Sequence, residues 1–344
     1  MNNRELQIPA RINMDKKKVL LVYTNFSSFV EKDYQILSSA YKVHQYQFHA
    51  VKGFAATAKE IIKQCFYLTF HVMKYDAVYI WFADYHSLLP VLFARIFNKK
   101  SFVVVGGYDV NYLPEFNYGS FNRPIRKFFA RNTLVNATLC FPVAKALVQK
   151  ISSIAPRANV EVLPTSTDYE KFDSGYAERP KSILTVASVA NRQRAMIKGL
   201  DRFRELAVAM PDFKFTIIGV SESFRVFFEP VPANLVLLPG VTYEKLPAYY
   251  QEASFYAQFS RSEGLPNSLC EAMLCGCIPI GTDVGDIEDA VGDTGLVTQS
   301  WDVNILAEFT RENHNNSKLR HLSRDRIIKK YNPEIRRIRL WDLL

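Results

Sequence analysis

Along this chain, short apolar runs alternate with segments whose apolar positions recur every three or four residues. The runs predict buried strands over 19–24, 42–47, 77–82, 102–105, 138–141 and 160–163. Helical spacing fills the gaps at 31–40, 55–73, 88–97, 122–134 and 144–153. From 164 to 180, with Ser174-Gly175 inside, periodicity disappears and the segment reads as a linker. A second set then begins: strand 183–189, helix 200–210, strands 213–219 and 235–238, helix 243–252 and strand 254–260. Helix 268–275 and strand 277–280 follow, and basic helices close the chain after 319. Pro211 ends the first helix of this set. Strand–helix alternation of this kind builds parallel sheets from βαβ units. The expected fold class is therefore α/β, with two Rossmann-like domains facing each other across a cleft that holds the substrates. The first covers 1–170 and the second 180–325.

Length agrees with that division, since 344 residues make about two domains. A hydrophobic fraction of 48% against 22% charged excludes a disordered chain. No apolar run approaches the length of a membrane span. The basic-then-apolar stretch Lys16-Lys-Lys-Val-Leu-Leu-Val-Tyr23 imitates a signal peptide but lacks a small-residue cleavage site. It reads as the first strand, and the residues before it as a loose tail. Net charge is +9, which suits an anionic ligand: a nucleoside diphosphate, a nucleic acid or an acidic membrane. The five cysteines (Cys65, Cys140, Cys270, Cys275 and Cys277) show no zinc spacing and read as reduced core residues of a cytosolic protein.

The candidate chemistry centres on RSEGLPNSLCEAMLCGCIPI at 261–280. Glu263 falls in the loop after a buried strand and Glu271 in the opening turn of the next helix, which Gly276 stops. Both carboxylates thus lie at the carboxyl edge of a parallel sheet, where open α/β sheets bind ligands. A carboxylate there accepts two hydroxyl hydrogen bonds at once and suits a polyhydroxylated ligand. Ser268 and Glu271 also have capping-box spacing, which would make Glu271 structural. The whole pattern, E-G-(x)6-E-A-(x)3-G-(x)2-P, resembles the signature of the retaining, GT-B-fold glycosyltransferases of family 4, the group 1 glycosyl transferases. The resemblance implies that Glu263 meets the donor sugar and Glu271 the ribose of the nucleotide. It extends donor binding to Gly264, Leu265, Asn267, Ser268 and Gly285.

A second match lies at Asn191-Arg192-Gln-Arg194-Ala-Met-Ile-Lys198-Gly199, joining a strand to the N-terminus of a helix. Free N–H groups and the helix dipole favour an anion there. The resemblance assigns the donor diphosphate to Arg192 and Lys198, with Arg194 an alternative to Arg192. After the next strand the family has two glycines; here Gly285 fits, but Asp286 stands at the second. In the first half the resemblance is weaker. Gly106, in Val105-Gly106-Gly107-Tyr108-Asp109, stands where many members carry a histidine, so that contact with the donor is missing or otherwise supplied. The first loop, Asn25-Phe-Ser-Ser-Phe29, lacks the family's paired glycines, and small Ser27 and Ser28 take their place. Asp84, His86, Gly107 and Asp109 are assigned to the acceptor side, with a hydrogen-bonded loop role as the alternative for His86. Arg123, Arg126, Lys127 and Arg131 form a helical stripe beside Phe128 and Phe129, either a solvated face or a contact with anionic lipid.

The resemblance implies a metal-independent hexosyltransferase without a cofactor. It would move sugar from a nucleotide sugar to a glycan or lipid-linked acceptor in cell-surface polysaccharide or glycolipid synthesis. It also implies that the final helix, 326–344, packs back on the first domain. The expected setting is cytoplasmic, at the inner face of the plasma membrane. Nucleic acid is disfavoured, because basic residues are dispersed and no recognition motif is present. A sugar-nucleotide epimerase, a phosphorylase or a noncatalytic nucleotide-sugar-binding module remain the alternatives.

Overall fold

The structure, a computed structural model, describes residues 16–51, 53–175 and 178–344. The tail read before residue 16 lies outside the described residues. The first half forms a five-stranded parallel sheet from β1 (Lys18–Tyr23), β2 (Lys42–Gln47), β3 (Ala77–Trp81), β4 (Lys100–Val105) and β5 (Leu139–Pro142), ordered β2-β1-β3-β4-β5. The second forms a six-stranded parallel sheet from β6 (Ser182–Val189), β7 (Lys214–Val220), β8 (Leu235–Leu238), β9 (Phe255–Gln258), β10 (Ile278–Thr282) and β11 (Leu296–Thr298). Its order is β11-β10-β9-β6-β7-β8. β3, β9 and β10 are buried along their whole length. Helices cover both faces of such strands, which is why they read as unbroken apolar runs. β2 is an edge strand and leaves its polar positions in water.

Several elements depart from the sequence reading. The predicted strand at 160–163 is an extended segment that bridges β5 at Cys140 and Val160 and donates Leu163 N–H to the Pro142 carbonyl. The basic segment after β6 is partly helical over Arg192–Ile197. Gly199 then turns the chain into the helix Leu200–Ala209 with φ +68°; a side chain there would collide with the Phe259 carbonyl. β11 has three residues, too few for a periodicity to register.

The final helix, Pro333–Trp341, lies against Ser28–Ala40 of the first half. Its Arg336 is buried and donates Nε and Nη2 to the two oxygens of buried Asp33, each at 2.6 Å. Tyr79 Oη and Trp81 Nε1 also donate to Asp33, at 2.8 and 2.9 Å. Arg336 Nη1 reaches the Leu163 and Pro164 carbonyls, at 2.8 and 3.0 Å. Every strong valence of this buried pair is met, the condition under which such a pair is tolerated in a core. The main apolar cluster runs from the first sheet through Val143 and Leu147 into Leu265, Leu269 and Ile287. The two halves therefore meet over a shared core directly beneath the 261–268 loop.

Candidate functional site

Glu263 lies in the loop past the end of β9, where Gln258, the last residue of the strand, and Ser260 both bond its carboxylate. Oε1 accepts from Ser260 Oγ at 2.8 Å, Gln258 Nε2 at 3.2 Å and Lys198 Nζ at 2.5 Å. Among the described residues Oε2 takes no bond, so one oxygen is anchored and the other is available to a ligand hydroxyl. Lys198 follows the short helix Arg192–Ile197 and precedes Gly199, so its position depends on the glycine turn. The two motifs meet as one ion pair in the ligand-free chain. Arg192 stands in the first turn of that helix with its guanidinium 5.8 Å from the Phe227 ring centre. Arg194 lies near enough to Tyr118 to act on its hydroxyl electrostatically. Burial and nearby Glu263 push the Tyr118 hydroxyl up to about 12, while Arg194 opposes them.

Glu271 lies within the helix Asn267–Leu274, whose N-cap is Pro266, and no capping side chain bonds its first turn. The capping-box alternative is therefore not realised. The Glu271 carboxylate instead accepts from Tyr243 Oη at 3.0 Å and Tyr250 Oη at 3.5 Å. Burial pushes its pKa up to about 7, against the downward pull of Lys32 and the two tyrosines. Lys32 comes from the helix Ser28–Ala40 of the other half, with Nζ 3.3 Å from the Ser166 carbonyl. Lys32 and Lys171 lie 5.4 and 4.1 Å from the Tyr243 ring centre, flanking Glu271's partner with two cations. None of Lys32, Lys171 or Tyr243 stands in a motif. Only the fold brings them to Glu271.

The loop between the two glutamates is shaped by close backbone approach. Gly285 has φ +64°, and a side chain there would overlap the Glu263 and Gly264 carbonyls. Gly264 in turn lies against the Gly106 carbonyl of the first half. Leu265 is buried, Asn267 accepts from Thr165 Oγ1 at 2.6 Å, and Ser268 lies beside the Tyr256 hydroxyl. Asp286 does not line the donor loop with its side chain. Its carboxylate crosses between the halves and accepts Lys145 N–H at 2.7 Å and Ala146 N–H at 2.9 Å, opening the helix Ala146–Ile154. Asn111 Nδ2 donates to Ser262 Oγ at 2.8 Å beside it. A cavity lined by Asn111, Lys150, Arg261 and Ser262 adjoins the Ser262 side of the loop rather than the Glu263 side. Its lining includes neither glutamate, so the site is located by the glutamates and their partners.

On the first half, the four acceptor-side residues divide. Gly107 faces the Gly264 backbone across the cleft. Asp109 is buried and accepts the N–H groups of Gly107 at 2.8 Å, Ala83 at 3.2 Å and Gly106 at 3.3 Å. It ties two sheet-edge loops together, with burial pushing its pKa up to about 6. His86 is also buried, donating Nε2–H to the Trp81 carbonyl at 2.7 Å, and burial pushes its pKa down. Both side chains bond the backbone of the loops they stand in. Asp84 lies at the rim, 3.3 Å from Arg126 Nη1. Arg126 also donates to Tyr108 Oη at 3.0 Å, so it leaves the outward stripe of Arg123, Lys127 and Arg131. Phe82 explains Gly106. Its ring occupies the space of any side chain at 106, with Cε1 2.2 Å from the position of a built Cβ.

The sequence likeness to a known family lies in the second half of the chain. Residues 180–315 match the family described as Glycosyl transferases group 1. This part of the chain is a group 1 glycosyltransferase domain. Over 129 residues, 36% of each chain, the protein is 30% identical to an uncharacterized glycosyltransferase of Methanocaldococcus jannaschii. Over 192 residues it is 26% identical to O-antigen chain mannosyltransferase B of Escherichia coli, spanning 52% of this chain and 48% of that one. The matches thus span less than half the length of these curated relatives. Among solved structures, sucrose-phosphate synthase from Thermosynechococcus elongatus superposes with TM-score 0.79 at 14% identity, over 95% of this chain and 98% of that one. Anabaena HepE in complex with UDP and glucose gives TM-score 0.71 at 12% identity, over 94% and 98%. The fold is GT-B. Glu263, Glu271, Lys198 and Gly285 all lie inside the matched glycosyltransferase domain.

Proposed function

We propose that this protein transfers a sugar, with retention of configuration, from a nucleoside-diphosphate sugar to a hydroxyl of a glycan or lipid-linked acceptor. The setting is cell-surface polysaccharide or glycolipid synthesis at the cytoplasmic face of the plasma membrane. The observation that carries the reading is the Lys198–Glu263 pair at 2.5 Å on the carboxyl edge of the donor-domain sheet. An incoming diphosphate offers Lys198 a stronger anion, and release of the ammonium leaves the Glu263 carboxylate, still anchored through Oε1 by Ser260 and Gln258, to receive the sugar hydroxyls on Oε2. Arg192 or Arg194 supplies the second cation, and Glu271 takes the ribose hydroxyls. Gly285 and Gly264 let backbone N–H groups approach the donor.

In the reaction the anomeric carbon–oxygen bond to the diphosphate breaks, and its electron pair stays on the phosphate. The acceptor oxygen forms the new bond on the same face of the sugar. Its proton passes to the departing phosphate oxygen. Charge on the phosphate grows through this step, so a preorganised cation there binds the transition state more tightly than the ground state. These basic side chains take the electrostatic role of a metal, and activity should survive a chelator. The relatives point to first choices of donor: a UDP-glucose complex is described for Anabaena HepE, and the Escherichia coli relative is a mannosyltransferase.

A thermal-shift panel of nucleotide sugars tests donor binding, because a ligand bound only by the folded state raises the melting temperature. The reading expects one donor to stand out and its sugar to appear on an acceptor. Isomerised or phosphorylated free sugar would indicate an epimerase or phosphorylase. Binding without any turnover would indicate a noncatalytic module.

A further inference from the structure

The crossovers β2→β3 and β3→β4 run in the same direction across the first sheet, so right-handed connections put their helices, Phe54–His71 and Leu88–Ile96, on one face. The two helices pack side by side. Phe54–His71 buries Gln64 and Leu68 against the sheet layer. Its outward side should then be polar. It is not: Ile62 is 57% exposed, Phe66 64%, Phe70 69% and, just past the helix, Met73 61%. At spacings of four, four and three residues these side chains are neighbours on one stripe. Phe54 continues the exposed apolar positions at the start of the helix. Ile96 adds another at the end of the adjacent helix, on the sheet edge where the helix Phe54–His71 also ends.

Isolated exposed apolar side chains are ordinary, but a contiguous stripe of large ones marks a surface that meets something. The charge around it selects the partner. Lys59, Lys63 and Lys74 are exposed among these residues, and Arg95 adjoins Ile96. The only acid of the helix, Glu60, is mostly covered and lies within ion-pair distance of Lys63 and His49. Among the described residues no helix is long and apolar enough to cross a membrane. A helix with large apolar groups and lysines on one outward face lies in the plane of an anionic lipid surface.

We propose that the outer face of the helix Phe54–His71 seats the amino-terminal half on an anionic bilayer, with Ile62, Phe66, Phe70 and Met73 entering the acyl boundary and Lys59, Lys63 and Lys74 meeting headgroup phosphates. It rests on the membrane-side reading of the acceptor above and assigns that contact to a different surface from the Arg123–Arg131 stripe. Seated this way, the protein would meet a lipid-linked acceptor in two dimensions without a spanning segment.

The test is flotation of the full chain with vesicles of phosphatidylcholine alone or with one quarter phosphatidylglycerol. Three proteins are compared: wild type, Phe66→Glu/Phe70→Glu, and Lys59→Gln/Lys63→Gln/Lys74→Gln. Wild type should bind anionic vesicles at least about tenfold more tightly than neutral ones, and less tightly at high salt. The phenylalanine pair should lower that binding by about tenfold or more, because a carboxylate is carried into the apolar boundary. The lysine triple should remove most of the preference for anionic vesicles. All altered positions are solvent-exposed, so melting temperatures should match wild type. Equal flotation of wild type and the phenylalanine pair would overturn the proposal. So would a wild-type dimer that this pair converts to monomer, since a second copy would then cover the face. Nucleotide-sugar thermal shifts on the same proteins separate the two readings: vesicle binding without donor binding sinks the transferase, and donor binding without vesicle binding sinks this face.

Discussion

Glu271 makes the sharpest prediction, because its environment sets a pH dependence whose sign follows from the structure. Burial raises its pKa to about 7 from the ordinary 4.5. Between those values the folded state binds more protons than the unfolded state, so stability falls as pH rises through that window. The interval of about 2.5 units corresponds to about 3 kcal/mol, lost from pH 4.5 to 7. A ribose hydroxyl donating to the carboxylate favours the ionised form, so ligand binding has the opposite trend. If only that form accepts the ribose, the competent fraction rises from about 9% at pH 6 to about 91% at pH 8. Affinity for a nucleoside diphosphate should then rise about tenfold across that range. The diphosphate titrates near its lower end, so the decisive quantity is the difference between wild type and Glu271→Gln. Calorimetric titration of UDP and GDP at pH 6, 7 and 8 measures it, with urea melts of the free proteins alongside. Parallel pH profiles for the two proteins would refute both the ribose contact and the account of the buried carboxylate.

Other consequences are as specific. Lys198→Ala should lower turnover by about two to three powers of ten, as when one preorganised charge-stabilising donor is lost, and steady-state transfer with the best donor measures this. Its stability cost should stay near 1 kcal/mol by urea melt, because the pair is partly solvated and Ser260 and Gln258 still bond Glu263. Gly106→His should destabilise by about 1–3 kcal/mol through collision with the Phe82 ring, and Phe82→Ala in the same chain should recover most of it. Independent, additive losses in the double variant would remove that explanation of the glycine. Arg336→Ala should cost about 3–5 kcal/mol, because Asp33 keeps its buried charge without its cation. A loss under 1 kcal/mol in a urea melt would mean the final helix contributes little to holding the first half.

What the sequence makes legible follows from how far each signal reaches along the chain. Ala77–Trp81 and Ile278–Thr282 are covered on both faces, so their apolar runs are continuous and unmistakable. The glutamate segment is legible because loop, helix and strand follow one another within twenty residues. Arg192–Ile197 is not, since a six-residue helix with three polar residues at its start has no period to detect. Ser268 and Glu271 have capping-box spacing, yet tertiary contacts turn Glu271 toward Tyr243 and Tyr250. Asp286 is visible as a departure from the two-glycine pattern, but its partners lie about 140 positions earlier in the chain. Lys32 beside Glu271, Phe82 over Gly106 and Arg336 on Asp33 are equally non-local. Local pattern finds elements and motifs. The side chains that tune the site come from the fold.

The central claim is that Glu263 and Lys198 act on one donor sugar in a retaining transfer. The most direct measurement supplies the anomerically pure nucleotide sugar selected by the thermal-shift panel, together with an extracted lipid or glycan acceptor. The product is isolated and its anomeric configuration read from the one-bond carbon–proton coupling. Wild type, Glu263→Ala and Lys198→Ala are compared with chelator present throughout. The account predicts a product with the donor's configuration from wild type, and losses of at least about a hundredfold in each variant. Glu263→Ala should nevertheless keep near-normal affinity for the nucleoside diphosphate. An inverted product, or undiminished transfer by either variant, would contradict it.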